Sequence, residues 1–95
     1  MTRVTWAPQA LEDVEAIRAH VARDSVPYAD LLVERLVAAV ARLEQHPLSG
    51  RVVPEVRNES LREVLHGNYR VVYRVGSDLV EIVTVFHGAQ LFRLD

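Results

Sequence analysis

Cysteine is absent from this 95-residue chain, and so is lysine; all eleven cationic side chains are arginine. Without cysteine there is no disulfide, no thiol nucleophile and no thiolate metal ligand. Without lysine there is no side-chain amine to act as a general base. Positive charge comes only from a planar, permanently protonated donor that suits carboxylates and phosphates. No apolar run approaches the roughly 20 residues of a membrane span. The first residues, Met1 to Trp6, lack the apolar stretch of a signal peptide. The expected compartment is therefore the cytoplasm, with no membrane contact. A net charge of -2 gives nucleic acid no general attraction. His20, His46, His66 and His87 fall at no metal-ligand spacing. There is no glycine-rich phosphate loop and no G-x-S-x-G elbow. No cofactor and no metal are expected.

What is present is enough for one core, so residues 1–95 are expected to form a single domain. Arg3 to Trp6 alternates and reads as a first strand. Pro8 suits a helix first turn. From there Ala10, Leu11, Val14, Ile17 and Val21 recur at helical spacing to about Arg23 or Asp24. Glu12, Asp13 and Glu15 are expected on its solvated face, near the positive end of the helix dipole. Ser25 is a good cap for a second helix with Pro27 in its first turn. Its main stripe is Ala29, Leu32, Val33, Leu36, Val40 and Leu43, ending at His46-Pro47. Leu31, Val37, Ala38 and Ala41 are apolar as well, more than one core face requires. They leave two readings open, a helix packed on several sides or surface held for a partner.

Residues 51–60 read as an irregular polar connection. Three strands follow: Leu61 to His66, Tyr69 to Val75 and Leu79 to His87, with turns at Gly67-Asn68 and Ser77-Asp78. The order β-α-α-β-β-β predicts an α+β fold, a helical hairpin packed on an antiparallel sheet.

Arg70 and Arg74 lie inside a predicted strand, where a guanidinium is costly to bury. A two-residue turn at Ser77-Asp78 opposes Arg74 to Glu81, Tyr73 to Ile82, Val72 to Val83, Arg70 to Val85 and Tyr69 to Phe86. Tyr69, Val71, Tyr73, Ile82, Thr84 and Phe86 then face the helices. Arg70, Val72, Arg74, Glu81, Val83, Val85 and His87 form a mixed, partly open face. Plain structural roles are available here too: Arg70 pairing with Glu63 on the neighbouring strand, Arg74 pairing with Glu81, and His87 as a structural histidine.

The segments Trp6-Ala7-Pro8-Gln9-Ala10, Leu43, Pro47, Gly50-Arg51, Leu61-Arg62, Tyr69 to Arg74 and His87-Gly88-Ala89, in this order, resemble toxins of the RelE/ParE superfamily. These are the toxin halves of bacterial type II toxin–antitoxin pairs, and the best match is the ParE-like, or plasmid-stabilisation, branch. The resemblance covers nearly the whole chain and implies the fold derived above. It implies one of two activities. RelE-like members cut mRNA on the ribosome with basic and tyrosine residues on the open sheet face. The best-known ParE-like members block DNA gyrase. Arg70 matches the strand arginine of the nuclease branch. Leu61, Glu63 and Gln90 stand where that branch has cations, and its C-terminal tyrosine falls at or past Asp95. The resemblance therefore implies a gyrase inhibitor working by protein binding. A cognate antitoxin would neutralise it, laying a disordered C-terminal tail over the helical hairpin and sheet. The pair would form a hetero-oligomer that meets DNA only through the antitoxin. Expected contacts to target or antitoxin are Arg51, Arg62, Arg70, His87, Gln90, Arg93, Leu31 and Val37. The alternatives are a nuclease using Arg70 and His87, or a degenerate toxin serving only as an antitoxin-binding module.

Overall fold

The computed structural model describes residues 2–92. Its elements are β1 (Arg3–Trp6), α1 (Pro8–Ala22), α2 (Val26–Ala41), β2 (Arg51–Val52), β3 (Leu61–His66), β4 (Tyr69–Val75) and β5 (Leu79–His87), with one 3-10 turn at Arg42–Glu44. The five strands form one sheet in the order β1-β5-β4-β3-β2. Two helices packed on it make an α+β fold, as the sequence predicts.

Local chemistry sets the boundaries. Pro8 stands in the first turn of α1. The Ser25 hydroxyl accepts the Tyr28 N–H at 3.2 Å and starts α2. Gly67 takes a φ of 55°, which only glycine adopts cheaply, at the first position of the two-residue β3–β4 turn. The helices turn Ala10, Leu32, Leu36, Val40 and Leu43 onto Val71, Tyr73, Val80, Ile82 and Val85 of the sheet. Leu36, Leu43, Tyr73 and Ile82 are fully buried there.

Three sequence expectations need correction. The sheet is mixed, because β1 runs parallel to β5 while the other pairings are antiparallel. The connection after the helices is not wholly irregular, because Arg51 and Val52 pair with Glu63 and Arg62. The β4–β5 register holds from Val75 to Tyr73 and then shifts. Tyr73 opposes Ile82 but Val72 opposes Thr84, so Val83 is an extra residue in a β-bulge. Past it Arg70 opposes Phe86 and Tyr69 opposes His87. A one-residue slip moves side chains to the other face. Val85 therefore joins the helix-side core, and Phe86 packs on the opposite side with Val72 and Val83.

Asp13 clasps this bulge. Its carboxylate accepts the Thr84 hydroxyl and, at 3.1 Å, the Val85 N–H. It is thus a tie between α1 and β5 and not part of a solvated face.

The face away from the helices is also covered. Val53, Leu61, Val72 and Phe92 form a second, smaller core, with Val56, Val83 and Phe86 against it. The cover is a loop, residues 53–60, and a C-terminal strap, residues 88–92. Val71, Val72 and Tyr73 in β4 are consequently all fully buried, although their side chains alternate between faces.

Candidate functional site

Arg70 stands at the centre of the covered face and is 6% exposed. Its Nε donates to Glu63 Oε1 at 2.7 Å, and Nη2 lies 2.6 Å from the same oxygen. Nη1 and Nη2 donate to the two oxygens of Glu55, each at 2.7 Å, a bidentate pairing. Nη1 also donates to the Gln90 carbonyl at 3.2 Å. The guanidinium carbon sits 4.9 Å from the centroid of the Phe86 ring. Every nitrogen of Arg70 is thus engaged.

The carboxylates are shared further. Glu63, 1% exposed, receives Arg51 Nε on its second oxygen at 2.6 Å. Glu55 accepts the Phe92 N–H at 3.0 Å, and the Phe92 ring stacks on Phe86 with centroids 6.1 Å apart. Two arginines and two glutamates balance to zero. Among the described residues no buried side-chain nitrogen or oxygen lacks a partner. Hydrogen bonding from Arg70, the largest effect, holds the Glu55 carboxyl down at about 2. Glu55 and Glu63 in turn push the Arg70 pKa above its ordinary value.

The loop is shaped to present Glu55. Val56 and Arg57 both donate their N–H groups to the Val53 carbonyl, and Arg57 takes a φ of 52°. The Asn58 side chain accepts the N–H and hydroxyl of Ser60, leading the chain into β3.

The other expected contact residues are distributed around this centre. Arg62 donates to the carbonyls of Glu59 and Gly50, at 3.1 and 3.0 Å, stapling the turns before β2 and β3. Beside it the buried Tyr73 hydroxyl donates to the Pro47 carbonyl at 2.8 Å and accepts the Gly50 N–H at 2.9 Å. A Cβ on Gly50 would come within 2.6 Å of the Glu63 carbonyl oxygen. Burial raises the Tyr73 pKa, keeping the hydroxyl a donor.

His87 is not on Arg70's face. Opposite Tyr69, it packs edge-on against that ring, with centroids 5.8 Å apart. Its Nδ1 accepts the Ala89 N–H at 3.1 Å, which leaves the proton on Nε2 of the neutral ring. With Gln90, Tyr69, Ile17 and His20 it lines an open groove of about 440 Å³ between α1 and the end of β5. Arg70 and His87 both line a second cleft, of about 250 Å³, with Arg51 and Leu65.

Leu31 and Val37 are 38% and 48% exposed on α2, and Ala38 and Ala41 are exposed too, so this helix does leave apolar surface uncovered. Arg93 lies outside the described residues. Arg74 opposes Glu81 as expected, but among the described ion pairs it has none, and both side chains are exposed.

Glu55 and Asp13 were not singled out by sequence reasoning as site or scaffold residues. For Glu55 a partial signal exists. An arginine has five N–H donors and one carboxylate cannot satisfy them all, so Arg70 needed further acceptors besides Glu63, although a carbonyl serves as well as an acid and nothing singles out Glu55 among them. For Asp13 there is none, because the bulge it clasps has no local signature.

The arrangement defines a small α+β protein with a saturated ionic cluster under a strap. The model of the ParE toxin of type II toxin–antitoxin systems matches residues 4–92. The chain is 35% identical to toxin RelE2 of Caulobacter vibrioides over 92 residues, 96% of this chain and all of that one. It is 36% identical over 90 residues to Y4kP of Sinorhizobium fredii, named as a candidate toxin, covering 93% of this chain and 90% of its relative. Its fold matches a structure of the chromosomal ParDE system of P. aeruginosa with a TM-score of 0.76 at 22% identity, over 92% of this chain and 96% of that one. It also matches the RelBE2 toxin–antitoxin complex of Mycobacterium tuberculosis with a TM-score of 0.65 at 21% identity, over 90% and 96%. The chain belongs to the ParE toxin family, and is a toxin of the ParE/RelE type II class.

Proposed function

We propose that this toxin acts by binding a protein, with DNA gyrase as its target, and that a cognate antitoxin neutralises it. The observation that carries this reading is the state of Arg70. RNA cleavage on this face requires a cation free to stabilise the phosphate and a group placed to move a proton. Arg70 spends all its donors on Glu55, Glu63 and the Gln90 carbonyl. His87 is turned to the Tyr69 side with one ring nitrogen already bonded. Glu63 and Glu55 would repel a phosphate brought to this point.

What is left exposed suits docking. Leu31 and Val37 offer apolar contact on α2, and His87 and Gln90 line the groove beside α1. Arg51, with 56% of its side chain exposed, gives charge at the rim. An antitoxin tail that orders on binding would cover α2 and the sheet rim together. No described helix is long and apolar enough to cross a membrane, which suits action on a cytoplasmic enzyme.

Purified protein added to gyrase should block supercoiling, and mRNA in a translating extract should stay intact. Cleaved mRNA with normal supercoiling would replace this reading with the nuclease. Neither effect would leave an antitoxin-binding module.

A further inference from the structure

Glu55 occupies Arg70 as a ligand would. It is not part of the sheet; it hangs from the 53–60 loop and meets the guanidinium with both oxygens at 2.7 Å. The same carboxylate holds the strap by accepting the Phe92 N–H. Phe92 in turn covers Phe86, on whose ring the guanidinium rests. Loop and strap are therefore joined through one side chain that keeps 20% exposure and touches solvent. Beneath it the composition differs. Glu63, by contrast, belongs to β3 itself, is 1% exposed and is bonded to both Arg70 and Arg51.

Removing Glu55 changes the charge of the site from zero to one net positive charge, on a planar donor pair of carboxylate geometry. It also removes the acceptor of the Phe92 N–H, and Phe92 is the strap residue packed in the cluster with Val72, Val83 and Phe86. The exposed site would then offer one carboxylate-shaped position beside an apolar, aromatic shelf. Glu63 stays next to it, so a group of higher negative charge is disfavoured.

We infer that Glu55 and the strap form an intramolecular latch over a carboxylate receptor, and that the latch opens to an extended acidic segment of a partner protein carrying one carboxylate and one aromatic ring. The chain's own Glu55 and Phe92 are the internal copy of that partner. This inference rests on the reading of the toxin as a protein binder, but not on gyrase being the target. The apparent affinity of such a site is set by the fraction of molecules with the latch open.

The test uses the full chain and a capped synthetic peptide with one glutamate and one phenylalanine, beside a twin with glutamine for the glutamate. Glu55→Gln should bind the glutamate peptide about tenfold or more tighter than the wild type, as the competing carboxylate is lost. The glutamine twin should lose that gain. Phe92→Ala, which loosens the latch from its other end, should also bind the glutamate peptide more tightly. Equal affinity of wild type and Glu55→Gln, equal binding of the two peptides, or no binding to either variant would each overturn the latch. Peptide binding is read apart from supercoiling, so a toxin that spares gyrase can still show the latch, and one that blocks gyrase can still lack it.

Discussion

Arg70 carries two burdens that a mutational screen would confuse. It stands where the family resemblance would place the strand arginine of the nuclease branch, and it is also the counter-ion of two acids, one of them fully buried. Removing one partner from such a cluster leaves an uncompensated charge and costs about 3–5 kcal/mol. Loss of toxicity in an Arg70 variant would therefore say little about catalysis. Glu55 is the cleaner probe. Its pKa falls from 4.5 to about 2 on folding, because Arg70 donates to it. A depressed acid contributes stability that is complete above its unfolded value and is lost as pH falls through the folded one. The wild type should thus exceed Glu55→Gln by about 1–3 kcal/mol in urea unfolding at neutral pH. The gap should narrow between pH 4.5 and about 2, the interval set by those two values. A constant gap across that range would place the loss elsewhere. The Arg70–Glu63 pair was legible in the sequence, since both sit at known places on adjacent strands. Glu55 was not, because no periodicity tells which side chain of an irregular loop turns inward.

Among the secondary-structure elements, the β5 bulge decides most. Without it Phe86 would point at the helices, and Arg70 would lose the ring it rests on. Asp13 secures the bulge from α1 through Thr84 and the Val85 N–H. Asp13→Ala should destabilise by about 1–3 kcal/mol, the cost of stranding partly buried donors. Glu12→Ala and Glu15→Ala, on the exposed side of the same helix, should stay within about 0.5 kcal/mol. Exchange of the Val85 amide should quicken in the Asp13 variant alone. If all three substitutions behave alike, the clasp is incidental. The helices and hairpin turns were legible because proline, the Ser25 cap and the apolar spacing act locally. The register was legible only as far as the turn at Ser77-Asp78 controls it, through Tyr73 and Ile82. Beyond that point tertiary packing chose a bulge with no glycine to announce it. The parallel pairing of β1 was equally hidden, since a four-residue strand takes its direction from where the chain must close.

The sheet lies between two unequal layers. Helices cover one face with a core that joins α1, α2, β4 and β5. Among the described residues the other face is covered by a loop and a strap, joined by Glu55 and by Phe92, which is 7% exposed. Regions with few apolar contacts open at lower free energy than the molecule unfolds. Leu36→Ala, in the thick layer, should lower global stability by about 2–5 kcal/mol and speed exchange across every strand. Phe92→Ala should act differently. Amides of residues 53–60 and 86–92 should exchange faster, while those of α2 and the centre of β4 keep their protection. Should Phe92→Ala deprotect the whole sheet, the strap is a structural layer and the two faces unfold as one. Selective deprotection would mean that the loop and strap open as a unit of their own while the helices and the sheet beneath stay folded, which is the motion the latch requires.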